Sequence, residues 1–230
     1  LDRLAGFLVI VSSGTLLAAF GFTGTTLTGP ALFYLVSSVL GSGAFFMLIE
    51  MAERNRAPAA DLLAISFEAF GLQDKHDSEH PDGMVGVAIP AAMAFLGLSF
   101  VSCALLLTGL PPLSGFFAKF ALLAAAIAAP PDAPLLHTGL FIAALLLSGL
   151  AGVMSLSRLG MRVFWNTARS APRLQWIEAG PVAGLVMICV ALAVGASPAM
   201  SYFNAAAQSL HDAPAYINAV LPGPQTGAKP

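Results

Sequence analysis

The sequence predicts an all-α polytopic membrane protein with about five transmembrane crossings, the third of them a helix broken at Pro111 and Pro112. Of the 230 residues, 57% are hydrophobic and only 10% are charged, whereas a soluble domain carries about 25% charged residues. The mean hydropathy is +0.83. Several apolar runs also reach the roughly 20 residues that a helix needs to cross a bilayer. These observations together favour a bundle of membrane-spanning helices.

Four apolar runs predict spans: 4–22, 31–49, 135–156 and 181–203. The longer stretch 85–129 admits two interpretations, namely two crossings that meet at the double proline or one crossing made of two half-helices. Charge favours one crossing, because the basic residues of the connections then share one side, which the positive-inside rule makes cytoplasmic. Those residues are Arg3, Arg54, Arg56, Lys75, Arg158, Arg162, Arg169 and Arg173.

Two segments outside the spans are predicted to differ from the bundle. The segment 50–82 is polar, but within 61–70 apolar residues recur at near-helical spacing, which predicts a short amphipathic helix at the membrane interface. The segment 210–230 is rich in proline and glycine, which predicts a flexible tail. The chain is therefore predicted to consist of a transmembrane bundle over 1–209, including this interfacial loop, and a tail over 210–230.

Several function classes are excluded on composition and spacing. A net charge of −2 gives no sign of nucleic-acid binding. Cys103 and Cys189 lie in apolar runs and are expected to be buried thiols. The 50–82 loop carries neither a zinc-protease spacing nor a nucleophile beside a base, so we expect no metal, no cofactor and no enzyme site there. The chain begins at Leu1 without an initiator methionine or signal-peptide layout, so we expect a fragment of a longer membrane protein.

The strongest candidate site is the run from Gly109 to Lys119, which reads GLPPLSGFFAK. Lys119 is the only charged residue between positions 83 and 131. A lysine near the bilayer centre costs roughly 2.5–3.5 kcal/mol, so such a lysine is a functional candidate by default. The double proline must interrupt a helix, and Gly115 is expected to permit unusual backbone dihedrals there. Interrupted helices are where ion-coupled transporters place their sites.

At this point the sequence resembles a known family. The run 109–119 matches the G-(I/L)-P-P-L-S-G-F-x-x-K motif of the antiporter-like subunits shared by respiratory complex I and the Mrp-type (Pha-type) multisubunit cation/proton antiporters. The helix after Leu1-Asp2-Arg3, the helix 33–46 and the span that ends at 158–165 are similar to neighbouring helices of these subunits. The resemblance covers about residues 1–205, the last five of fourteen helices, and fits best with the D subunits of the Mrp-type antiporters.

The resemblance implies a proton half-channel. In that family a lysine of the broken helix, or in some members a glutamate, exchanges protons with a central hydrophilic axis and one membrane face, and Lys119 matches that lysine. Pro111, Pro112, Ser114 and Gly115 would then shape the break and its cavity. The implied partners are the other subunits of a hetero-oligomeric antiporter, the lipid bilayer, and H⁺ with Na⁺ or K⁺, and the implied location is the bacterial inner (plasma) membrane.

The sequence departs from this family at three positions. Ser12, Ser38 and Ser42 stand where members often carry titratable residues, so these serines either line a polar path or allow close helix packing. Two alternatives remain open beside the antiporter. One is a proton-pumping subunit of complex I without a redox centre of its own. The other is a structural membrane subunit, in which Lys119 serves only for packing and an ion pair.

Overall fold

The structure is a computed structural model, and it describes residues 2–22, 26–54, 91–128, 135–165, 176–212 and 217. These residues are almost entirely helical. In chain order the helices are α1 (Asp2–Phe20), α2 (Thr28–Arg54), α3 (Ala91–Thr108), α4 (Ser114–Ile127), α5 (Leu135–Trp165), α6 (Trp176–Val194) and α7 (Ala196–His211). Helices are expected here, because only a helix or a closed barrel satisfies its own backbone groups inside a bilayer.

Two buried clusters define the two ends of the bundle. The first core cluster includes Ala5, Phe45, Leu48, Leu96, Leu156 and Val182. The second core cluster includes Ala19, Phe33, Tyr34, Leu122, Phe141 and Leu145. A third, small cluster consists of Leu106, Leu113 and Cys189. In chain order its members fall between residues of the first cluster and residues of the second, once over α3 and α4 and again in α6. Each long helix thus contributes its early residues to one cluster and its late residues to the other.

These clusters show that the chain passes through the bundle five times. Helix α1 runs from the first cluster to the second, and α2 runs back to the first. Helix α5 also runs from the second cluster to the first, and α6 runs from the first to the second. Helices α3 and α4 together make one pass, because α3 starts at the first cluster, the break lies at the small middle cluster, and α4 ends at the second. The prediction of one broken crossing is therefore confirmed, and the alternative of a hairpin of two crossings is not.

Helix α2 lies at the centre of the bundle. It contacts α1, α3, α4, α6 and α7, whereas α5 packs on the outer side against α1, α3 and α4. The two halves of the broken pass therefore rest on the same continuous helix. This arrangement holds the break at a defined depth.

The outer surface and the helix lengths fit a membrane protein. Three helices are long and apolar enough to cross a bilayer, over 3–20, 28–52 and 136–162, and α3 and α4 are apolar but shorter. Large apolar side chains face outward, the reverse of what a water-facing surface shows. Examples are Phe7, Leu17, Leu98, Leu147, Met187 and Val194.

The predicted span 181–203 differs from the structure. Helix α6 ends at Val194, and α7 continues after Gly195 at an angle of 83°. Glycine and the nearby Pro198 interrupt the apolar run, and composition alone does not reveal such an interruption. Helix α7 then lies across the second-cluster end, where Phe203 meets Phe33 of α2 edge to face, with ring centroids 6.0 Å apart.

The described arginines all lie at the first-cluster end. Arg3 begins α1, Arg54 ends α2, and Arg158 and Arg162 lie in the last turns of α5. Lys119 is the one described lysine or arginine away from that end. The described arginines thus share one end of the bundle, and which face of a membrane that end meets stays a prediction. The predicted amphipathic helix at 61–70, the loop residues 74–82 and nearly all of the predicted tail lie outside the described residues.

Candidate functional site

The site begins where α3 ends. Gly109 has φ = +77°, a left-handed conformation typical of the residue after a helix C-terminus. The N–H groups of Gly109 and Leu110 both donate to the Leu105 carbonyl oxygen at 3.0 Å. Pro111 and Pro112, joined by a cis peptide bond, follow on the exposed side of the turn. They lack N–H groups, so the helix cannot continue through them.

Lys119 reaches from α4 back to this helix end. Its Nζ donates to the Thr108 carbonyl oxygen at 2.9 Å and to the Leu107 carbonyl oxygen at 3.3 Å. The last four carbonyls of a helix lack intrahelical partners, and the helix dipole makes that end partially negative. The break therefore creates two free acceptors at middle depth, and the lysine supplies the cation that satisfies them.

Small residues form the walls around this lysine. A Cβ atom at Gly109 would lie 2.5 Å from Cδ of Lys119, so the lysine stem passes directly over the glycine. A Cβ atom at Gly149 of α5 would lie 3.5 Å from the Thr108 carbonyl oxygen and 3.9 Å from Nζ. The Thr108 hydroxyl donates to the Ala104 carbonyl at 2.6 Å, within its own helix. Lys119 is half-buried, and among the described residues its ammonium bonds only to the two carbonyls.

Ser114 and Gly115 fix the start of α4 against its neighbours. The hydroxyls of Ser114 and Ser37 share a hydrogen bond of 2.9 Å, and both residues are buried. Ser114 therefore joins α4 to α2, and among the described residues it makes no bond to Lys119. Cys189 of α6 is buried in the small cluster with Leu113, the residue before Ser114.

The role of Gly115 differs from the expectation. Its φ is not positive, and among the described residues Gly109 is the glycine with the unusual dihedral. Gly115 is needed because a Cβ atom there would overlap the Leu106 carbonyl group. The expectation failed because a motif shows where a glycine stands but not whether the turn or a close backbone contact requires it.

The structure does not join the three serines of the predicted polar path into one hydrogen-bonded chain. Ser12 lies in α1, away from the other two, which lie in α2. Ser38 donates to the Leu35 carbonyl at 3.1 Å, and Ser42 donates to the Ser38 carbonyl at 2.7 Å. None of these bonds reaches Lys119, and a path through the serines stays a prediction.

Sequence reasoning did not place the groups that hold Lys119. Any helix that ends at a double proline leaves its last carbonyls without intrahelical partners, so the motif itself could have indicated the acceptors at Leu107 and Thr108. Nothing in the sequence distinguishes Gly149 from the other glycines of its helix. Within the described ranges no group of three His, Cys, Asp or Glu side chains is placed to hold a metal ion. The acidic and histidine-containing run at 74–82 lies outside them.

The fold and this site define a class of protein: a polytopic helical membrane protein with a lysine at a mid-depth helix break. No protein-family model matches the chain. Over its whole length it is 46% identical to the D subunit of a probable K(+)/H(+) antiporter of Rhizobium meliloti (strain 1021), of which it spans 43%. It is 25% identical, over 95% of its length, to the D subunit of the Na(+)/H(+) antiporter of Alkalihalophilus pseudofirmus. It is 28% identical, over 83% of its length, to the D subunit of the Na(+)/H(+) antiporter of Bacillus subtilis (strain 168).

The chain is thus a homologue of the C-terminal part of proteins named as D subunits of K(+)/H(+) or Na(+)/H(+) antiporters. It spans less than half the length of each of these relatives.

Proposed function

We propose that this chain is the C-terminal part of a membrane subunit of a monovalent cation/proton antiporter and that Lys119 carries the proton. The observation that carries the proposal is the position of the lysine, which donates to two free carbonyls at a helix break between the two core clusters. The names of the homologous subunits support the reaction, and they favour an antiporter over a complex I subunit.

The two carbonyls suit a group that gains and loses a proton in place. A lysine ammonium has three N–H donors, of which two point to the Leu107 and Thr108 carbonyls. When the third proton leaves, the neutral amine still has two N–H groups and can keep both bonds. The amine can therefore stay beside the break after it has lost its proton, where it is in place to take a proton back.

The proposal includes a cellular setting. The arginine-rich end faces the cytoplasm, and the chain lies in a bacterial inner (plasma) membrane. It works with the other subunits of a hetero-oligomeric complex that exchanges H⁺ for Na⁺ or K⁺. It is a transporter subunit and not an enzyme.

A second candidate function rests on the same bonds. Lys119 caps the C-terminus of α3, and a cationic side chain at that position stabilises a helix without any proton transfer. In this interpretation Lys119 has a structural role and the serines serve for packing. The two candidates differ in whether the lysine must be able to lose its charge.

The test uses inverted membrane vesicles that contain the full complex, in which sodium- or potassium-driven dissipation of a pH gradient is measured. Lys119→Arg retains the cation and its donors but cannot release a proton under these conditions. The carrier role predicts that this variant assembles normally and that exchange falls at least about tenfold. Lys119→Ala is expected to lose exchange as well.

The structural role predicts the opposite pattern. Lys119→Arg would then exchange at the wild-type rate, and that result would reject the carrier role. Gly139→Ala is a matched control, because a Cβ atom at this α5 position meets nothing within 4 Å. It is expected to leave both assembly and exchange unchanged.

A further inference from the structure

The two carbonyl oxygens that hold Lys119 have the chemistry of a cation site. They belong to Leu107 and Thr108, and they lie at the negative end of the α3 dipole. Rings and ends of backbone carbonyls bind dehydrated monovalent ions in channels and in the broken helices of transporters. The group that occupies them in this structure is itself a compact cation, the lysine ammonium.

We infer that the Leu107 and Thr108 carbonyl oxygens also bind the transported alkali cation, and that this cation and the protonated Lys119 compete for one position. The inference rests on the proposed function and adds to it the place where the cation binds. Coupling would then need no distant conformational signal. It would follow from the fact that both ions use the same two acceptors.

The surroundings allow one positive charge at a time. Among the described residues, no carboxylate and no other titratable side chain of α2, α3, α4 or α5 bonds to Lys119 or acts on it electrostatically. A second cation beside the ammonium would therefore meet uncompensated repulsion. Charge alone makes the two ligands exclude each other.

Little side-chain bulk surrounds the two carbonyls. The Lys119 stem lies over Gly109, a Cβ atom at Gly149 would lie 3.5 Å from the Thr108 oxygen, and Lys119 is only half-buried. Two carbonyl oxygens do not complete the coordination of Na⁺ or K⁺, so the ion would retain part of its water.

The exchange balances in charge and protons. Lys119–NH₃⁺ releases one H⁺ and becomes a neutral amine, whose hydrogen bonds are weaker than those of the ammonium, and one alkali cation then displaces it from the two carbonyls. In the reverse step the cation leaves and one proton returns to the amine. The site holds a single positive charge at the start and at the end of the exchange, and it is neutral in between.

The experiment is equilibrium binding of radioactive sodium and rubidium ions to the purified full complex between acidic and alkaline pH, with rubidium standing in for potassium. In the wild type we expect the apparent Kd of the ion that binds to rise about tenfold for each pH unit of acidification once Lys119 is protonated. Lys119→Met removes the competing ammonium. It is expected to retain about one more bound ion per complex than the wild type at acidic pH, with no dependence on pH at this site.

A second variant keeps the test valid if Lys119→Met fails to assemble. Gly149→Ala places a methyl group 3.5 Å from the Thr108 oxygen, an ordinary contact that the fold tolerates but that takes space from the hydrated ion. We expect its Kd for the cation to rise at least about threefold. Gly139→Ala is expected to bind as the wild type does.

Two results would overturn the inference. The first is that Lys119→Met, or Gly149→Ala in its place, binds as the wild type does at every pH. The second is a wild-type Kd that levels off on acidification, which indicates two separate coupled sites. Either result is compatible with loss of exchange in Lys119→Arg, so the cation site can fail while the proton carrier stands. Full exchange by Lys119→Arg would instead reject the proposed function.

Discussion

Within the described helices two interruptions stand out, and they differ in direction, in backbone bonding and in charge. Between α3 and α4 the chain leaves the helix over 109–113, keeps its direction through the bundle and resumes as α4. Between α6 and α7 a single residue, Gly195, turns the chain by 83° at the end of the bundle. The first interruption carries the lysine, and the second carries no charge.

The backbone bonding explains the difference. At the second interruption Gly195 N–H donates to the Ala191 carbonyl at 2.8 Å, and Ala199 N–H donates to the Gly195 carbonyl at 3.0 Å. Helix α7 thus begins at the residue that closes the last hydrogen bond of α6. At the first interruption two proline residues remove donors, and the carbonyls of Leu107 and Thr108 are left for Lys119. The two interruptions therefore differ in what meets the helix end: a lysine ammonium bonds to the last carbonyls of α3, whereas among the described residues no lysine or arginine lies at the end of α6.

The largest expected effect is on the free energy of unfolding when a glycine at each interruption is replaced by alanine. A Cβ atom at Gly115 would overlap the Leu106 carbonyl, which belongs to the backbone and cannot move aside. We expect Gly115→Ala to lower the free energy of unfolding by about 3 kcal/mol. Gly195→Ala, whose Cβ atom would lie 3.2 Å from the Ala191 oxygen, is expected to cost less than about 1 kcal/mol. Thermal unfolding of the purified complexes in detergent measures both.

Gly184→Ala provides the control for helix propensity alone, because a Cβ atom there meets nothing within 4 Å. Equal destabilisation by Gly115→Ala and Gly195→Ala would contradict the comparison. It would mean that the close approach of α4 to α3 is no more constrained than the bend.

The next effect concerns the lysine itself. Gly109→Ala combines a left-handed backbone with a Cβ atom 2.5 Å from the Lys119 stem. The backbone alone costs roughly 1–2 kcal/mol, and the displaced lysine should lower exchange as well. Gly109→Asn reduces the backbone cost, because asparagine visits this conformation, but it keeps the Cβ atom. We expect near-normal stability and reduced exchange for Asn, measured by unfolding and by vesicle assays.

Normal exchange in Gly109→Asn would show that the position of the lysine stem does not matter. The backbone of the turn alone, rather than the fit of Lys119 over Gly109, would then account for the glycine.

The two interruptions were not equally visible in the sequence. A double proline within an apolar stretch must break a helix, so the first could be placed to the residue, and the lone lysine marked it as a site. Gly195 and Pro198 stand in a run that is otherwise as apolar as a span, so the second was missed. Hydropathy reports how long a run is, and it does not report its direction.

Side-chain partners were the less predictable part. The motif contained Ser114 and Gly115, but the contact of Ser114 with Ser37 depends on α2 lying beside the start of α4, which only the packed bundle determines. The same holds for Gly149 beside Thr108. Contacts between residues far apart in the chain are set by helix packing, for which a single sequence carries little signal.

A smaller effect is expected at the Ser37–Ser114 pair, which fastens the first interruption to α2. Their hydroxyls are 2.9 Å apart and both are buried. Hydrogen bonds between membrane helices contribute about 0.6 kcal/mol on average and at most about 1.7. We expect a double-mutant cycle of Ser37→Ala and Ser114→Ala to give a coupling energy in that range, measured by thermal unfolding.

Additive effects of the two substitutions would show that the pair does not stabilise the start of α4. Cys189 of α6, which is buried in the small cluster with Leu113, would then be the residue to test next.

The smallest effect is expected at Ser42, on the same central helix but with its hydroxyl bonded to its own backbone. It donates to the Ser38 carbonyl at 2.7 Å and lies 3.1 Å from the Val39 carbonyl. Such a bond is local to the helix, so Ser42→Ala should change the free energy of unfolding by less than about 0.5 kcal/mol and leave exchange unchanged. Vesicle exchange and unfolding of this variant, beside Ser38→Ala, measure this. A clear loss of exchange at unchanged stability would instead support a proton path along α2 and would extend the site from the break to the central helix.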